Sequence, residues 1–143
     1  VNGLMFRLLL GHLVGDYLFQ NDWMALNKKR RLMPCLVHCA FYTFCVGIFL
    51  WPLTRELGWL QWWCCYQLIF LSHILLDGTG LIEWWFRLIR GRAFARVNLP
   101  TPGLCASPDA HTARLIYTCI VQTVADNTIH LALMFFIVNS FLE

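Results

Sequence analysis

With 143 residues, 59% of them apolar and only 13% charged, the chain lacks the charge to cover a water-facing surface, for which soluble domains use about 25%. Its mean hydropathy of +0.58 points instead to lipid as the surrounding solvent and to an all-α integral membrane bundle of about four transmembrane helices, a single domain over residues 1–143. A nucleotide-binding loop, a serine-nucleophile motif and a nucleic-acid module are all missing from the sequence.

The first apolar run, about residues 4–23, starts at once without a basic leader and contains His12 and Asp16. It is expected to be a retained helix and not a cleaved signal. A basic turn follows, Lys28-Lys29-Arg30-Arg31, before a second helix over about 34–51 that Pro34 is suited to open. The turn from Pro52 to Gly58 carries only Arg55 and Glu56, and a third helix is expected over about 59–77. Residues 81–97 mix Trp84, Trp85, Phe86, Leu88 and Ile89 with Arg87, Arg90, Arg92 and Arg96, the composition of a helix lying in the headgroup region on the cytoplasmic side. Residues 98–107 read as a loop, and Ser107-Pro108-Asp109 introduces a last helix over about 112–142. His111, close to Asp109, is expected to be solvated.

Cations therefore cluster in the first and third connections. The positive-inside rule places both in the cytoplasm and both termini outside, in a multi-pass protein of a bacterial inner membrane. Of seven cysteines, Cys35, Cys39, Cys45, Cys64, Cys65 and Cys119 lie in apolar runs and are read as packing residues.

Three aspartates fall inside the expected spans, each one helical turn from a histidine: His12 with Asp16, His73 with Asp77, and Asp126 with His130. That spacing puts both side chains of a pair on one helix face. A carboxylate in hydrocarbon costs about 2.5–3.5 kcal/mol on insertion scales, so such residues usually mark function. Antiparallel packing would set every Asp on the cytoplasmic side of its His, in layers roughly 6 Å apart. His38 reaches the same region from the second helix, and Gln20 extends the face of His12 and Asp16. The expected metal set is thus His12, Asp16, His38, His73, Asp77, Asp126 and His130, with Asp16, Asp77 and Asp126 as candidate catalytic groups. Imidazole and carboxylate together suit a divalent ion, zinc first, manganese or iron otherwise. A proton or ion path and plain His–Asp pairing between helices are open alternatives for the same residues.

The string Gly11-His12-Leu13-Val14-Gly15-Asp16-Tyr17-Leu18-Phe19-Gln20, with Asp22-Trp23-Met24 and Lys28-Lys29 after it, resembles the opening of the family catalogued as domain of unknown function 3307. The resemblance continues through Leu36-Val37-His38, through Ser72-His73 with Leu76-Asp77, and through Asp126 and His130. Asn127 stands where the family commonly has Gln. The resemblance implies a small polytopic membrane protein of bacteria or phages and brings no activity with it. A looser similarity of site, not of sequence, links the His–Asp turns to membrane-bound metal-dependent hydrolases.

The leading expectation is a membrane-embedded, metal-dependent hydrolase of a lipid or lipid-linked ester or phosphoester. Its cations Lys28, Lys29, Arg30, Arg31, Arg87, Arg90, Arg92 and Arg96 would meet anionic headgroups, or else simply fix topology. A proton or metal-ion transporter, and a non-catalytic membrane effector, are the alternatives. A homo-oligomer is compatible with each.

Overall fold

A computed structural model describes residues 3–90 and 108–143. Arg92, Arg96 and the expected loop at 98–107 lie outside the described residues, as do the side chains of Arg90 and His111. The elements in order are α1 (Leu4–Leu13), a π-helical turn (Val14–Leu18), α2 (Asp22–Asn27), α3 (Leu32–Leu50), a 3-10 turn (Trp51–Leu53), α4 (Thr54–Leu57), α5 (Trp59–Thr79), α6 (Leu81–Arg90) and α7 (Pro108–Leu142). The described chain is all-helical and contains no strand. Two stretches among the described residues, Leu32–Leu57 and Leu115–Leu142, are long and apolar enough to cross a membrane, and α5 with α6 passes the same test only if that bent pair is counted as one span.

The chain divides into two compact units, Val1–Thr79 with His130–Glu143, and Gly80–Ile129. In the first, α3 is the central helix, with α1, α2 and α5 packed against it. Its inner stripe is Cys35, His38, Cys39, Tyr42, Val46 and Leu50, buried at helical spacing. Pro34 sits within the first turn, where it breaks no intrahelical bond. Gly58 (φ +75) separates α4 from α5, and Gly80 (φ +66) ends α5, both in a conformation that a Cβ disfavours.

The expected uninterrupted helix over 4–23 is not what forms. After α1 the backbone widens into the π turn, closed by Phe19 N–H donating to the Val14 carbonyl at 3.2 Å. The chain then breaks, and Asn21 caps a new helix by accepting from the Met24 amide at 3.0 Å. Two glycines one turn apart, Gly11 and Gly15, bring this segment against α3. A Cβ on Gly11 would stand 2.9 Å from Val46 Cα, and one on Gly15 2.9 Å from the Tyr42 ring and 3.0 Å from Tyr42 Cα. This is the small-xxx-small spacing of close helix pairs in membranes.

The apolar core of this unit joins Leu4 and Leu8 to Val46, Leu50, Trp62, Ile69, Met134 and Val138. Along every helix these residues lie on the side of the histidine away from the basic turn at 28–31. Many large apolar side chains face outward, among them Phe6, Phe44, Ile48, Leu60 and Phe136, as expected of a surface wetted by hydrocarbon. The six cysteines among the described residues are all unbridged, and Cys35, Cys39, Cys45 and Cys65 are buried.

In the second unit, α6 buries Ile82 and Phe86 and exposes Trp84, Trp85, Leu88 and Ile89. The amino-terminal part of α7 contributes Ile120, Val121, Val124 and Ile129, which line an apolar cleft with Trp85.

Candidate metal centre

Four elements of the first unit deliver the site. Asp16 stands on the π turn, His38 on the inner stripe of α3, and His73 and Asp77 one turn apart on α5. His130 enters from α7, and His12, His38, His73 and His130 are all 3% exposed or less. The Gly15 contact with Tyr42 is what allows the backbone carrying Asp16 so close to α3.

His38 Nε2 lies 3.2 Å from Asp16 Oδ1, 3.1 Å from Asp77 Oδ2 and 3.0 Å from His73 Nε2. His73 Nε2 is in turn 3.7 Å from Asp16 Oδ1 and 3.4 Å from Asp77 Oδ2. A tetrahedral ion with bonds of about 2.0–2.1 Å has ligand-to-ligand edges of about 3.3 Å. The observed separations bracket that edge, so Asp16, His38, His73 and Asp77 have the donors and the spacing to hold a metal ion. Asp16 Oδ1 is buried and yet accepts no hydrogen bond, a costly state that a cation between the four groups would relieve.

A second ring of side chains fixes the first. His73 Nδ1 meets His130 Nδ1 at 3.1 Å. If His73 offers its Nε2 lone pair to an ion, its Nδ1 carries the proton and donates to His130. His130 then carries its own proton on Nε2, which faces Asp77 Oδ1 at 3.4 Å. The Tyr42 ring stacks on His73 with centroids 3.5 Å apart and planes 9° from parallel. The Tyr42 hydroxyl donates to Met134 Sδ at 3.1 Å, which leaves it to accept from His12 Nδ1 at 3.0 Å. His12 Nδ1 is also 3.5 Å from Asp16 Oδ2.

The cytoplasmic-facing end expected from the sequence is closed by Lys28. Its ammonium donates to Asp77 Oδ2 at 2.6 Å and to Gln20 Oε1 at 2.8 Å, and lies 3.4 Å from His38 Nε2. Two carboxylates so near each other repel, and Lys28 supplies the opposing charge.

Of the seven residues expected at the site, the structure gathers Asp16, His38, His73 and Asp77 at its centre, with His12 and His130 in contact behind them. Asp126 lies one turn before His130 on α7, half-buried, in the second unit. Sequence reasoning missed Tyr42 and gave Lys28 only a role in topology or headgroup binding. The signal for Tyr42 was present: it is one turn beyond His38 on the same face of α3.

No curated protein and no solved structure matches the chain. A family model does, over residues 4–142, and its description is a protein of unknown function, DUF3307. The match takes in all the residues of the His/Asp cluster, and the chain belongs to the DUF3307 family.

Proposed function

We propose that the protein is a membrane-embedded, metal-dependent hydrolase acting on an ester or phosphoester of a lipid or lipid-linked substrate. The observation that carries this reading is the quartet Asp16, His38, His73 and Asp77, all but Asp16 buried, at the edge lengths of a tetrahedral ion. Two imidazoles and two carboxylates favour zinc, with manganese or iron compatible. The chain would cross a bacterial inner membrane four times, with the turn at 28–31 in the cytoplasm, both termini outside, and α6 in the headgroup layer.

A catalytic zinc site keeps three protein ligands and one open position. His38, His73 and Asp77 are the three best held in place, Asp77 by Lys28 and His73 by His130. Asp16 is then free to take a proton, because its Oδ1 is buried without a hydrogen bond and it is the more exposed of the two carboxylates, at 13% against 5%. A divalent ion bound here supplies a Lewis acid and lowers the pKa of water beside it. Lys28 offsets negative charge on the Asp77 side.

Metal analysis of detergent-purified protein tests the site: wild type should carry a stoichiometric divalent ion that His73→Ala lacks. Asp16→Asn should retain the ion and lose about 10²–10⁴ of the turnover of a lipid ester. A folded wild-type protein that takes up no divalent ion when supplied with one would sink this reading.

One observation favours a second reading. His38, His73 and His130 form an unbroken file of ring nitrogens with gaps of 3.0 and 3.1 Å, as in a proton relay. The file runs into the apolar core at Met134 and Val138, which weighs against a through path. Histidine-dependent proton flux in liposomes would reverse the order of the two readings.

A further inference from the structure

Beside the metal centre, on the side of the basic turn, the first unit has a cleft of about 320 Å³. Lys28, Lys29, Arg30 and Arg31 form one wall, and Leu32, Cys35, Ile74, Gly78 and Thr79 the other. The basic wall is held in a definite shape: the amides of Arg30 and Arg31 both donate to the Asn27 carbonyl at 2.9 Å, and that of Lys28 to Met24 at 2.9 Å. The opposite wall depends on close approach of α3 and α5, where a Cβ on Gly78 would come within 3.3 Å of Cys35 Sγ.

The charges of this wall are unequally used. Lys28 turns inward to Asp77. Arg30 and Arg31 are exposed and form no ion pair among the described residues. Guanidinium groups present a planar fork that matches phosphate oxygens two at a time. A wall of cations facing a wall of aliphatic and thiol groups therefore suits a molecule that is anionic at one end and apolar along its length.

We propose that this cleft binds the headgroup phosphate of an anionic phospholipid, with Lys28 as the residue shared between the headgroup site and the His/Asp cluster. It rests on the hydrolase reading only in making that lipid the substrate. The cleft as a lipid site stands on its own walls: four cations in sequence, an apolar face opposite, and Lys28 Nζ 2.6 Å from a carboxylate of the metal centre. A substrate held there would bring its phosphate to the mouth of the centre and leave its chains along α3 and α5.

The test uses the full chain, stripped of metal with a chelator and purified in a neutral detergent, so that no turnover enters the measurement. Native mass spectrometry would follow binding of phosphatidylglycerol and of phosphatidylcholine to the wild type, to the double variant Arg30→Gln, Arg31→Gln, and to Arg55→Gln as a control from another turn. The wild type and Arg55→Gln should prefer the anionic lipid, and the double variant should lose on the order of tenfold of that preference while keeping its helical circular dichroism. Equal binding of the two lipids by the wild type overturns the proposal, and so does an undiminished preference in the double variant. Release of the lipid by millimolar inorganic phosphate would also overturn it, by assigning the cleft to soluble phosphates. None of these outcomes bears on metal content, so the lipid site and the hydrolase reading can fail separately.

Discussion

At the scale of single residues, the His–Asp pairs were legible because an i,i+4 spacing has only one geometric meaning on a helix. Asp77 and His73 needed nothing more to be placed together. Tyr42 was hidden because an aromatic residue in an apolar run looks like any other packing residue, and its hydroxyl gains meaning only once His12 and Met134 are seen on either side. Lys28 was hidden for the opposite reason: inside a run of four cations it has no individual signature. The hydrogen bond between His73 and His130 makes a sharp prediction. His130→Ala should weaken metal binding about 10–100-fold, the usual effect of losing a group that orients a ligand. His130→Asn, whose amide can accept from His73 Nδ1, should recover much of it. Competition against a chromophoric chelator would read both, and equal affinities in all three proteins would exclude an orienting role.

At the scale of elements, the helices over 32–50 and 59–79 were legible from apolar length and from the turn between them, to within two residues at either end. The first segment was not. Apart from Arg7, His12 and Asp16 its composition is apolar up to Phe19, and the wide turn at Val14–Leu18 leaves no mark on that pattern. The spacing of Gly11 and Gly15 was the available sign of tight packing, overshadowed by the polar residues between and beside them. Gly15→Ala should destabilise the protein by about 1–3 kcal/mol, because the new methyl meets Tyr42 Cα, which cannot swing away. Gly78→Ala, whose nearest neighbour is the Cys35 thiol at 3.3 Å, should cost less. Thermal unfolding in one detergent would rank the two, and the reverse order would refute the seam at Gly15.

At the scale of the whole molecule, composition alone pointed to a helical chain with stretches long and apolar enough to cross a membrane, since so few charges do not cover a water-facing surface. The number of crossings is less direct, because the first helical stretch is interrupted and α6 follows α5 after Gly80 alone. The proposed orientation predicts which turns face which side. In sealed right-side-out vesicles, a membrane-impermeant thiol reagent should label Arg55→Cys directly and Arg31→Cys only after permeabilisation, with the native cysteines replaced by Ala or Ser. Labelling in the opposite order would invert the topology and put the mouth of the site on the outer face.

The π turn also acts as a phase shifter. A turn closed from Phe19 to Val14 contains one residue more than an α-helical turn. A side chain at the end of this turn is therefore rotated about 100° from where regular winding would leave it, before the helix breaks at Gln20 and Asn21. Just beyond the turn, Gln20 accepts from Lys28, which also donates to Asp77. Excising Leu18 would let the segment wind regularly while keeping Gly15, Asp16 and its charge. The excised chain would have a shorter path from Asp16 to Lys28, both of which meet the His/Asp cluster, so Leu18 should tolerate exchange for another apolar residue far better than removal.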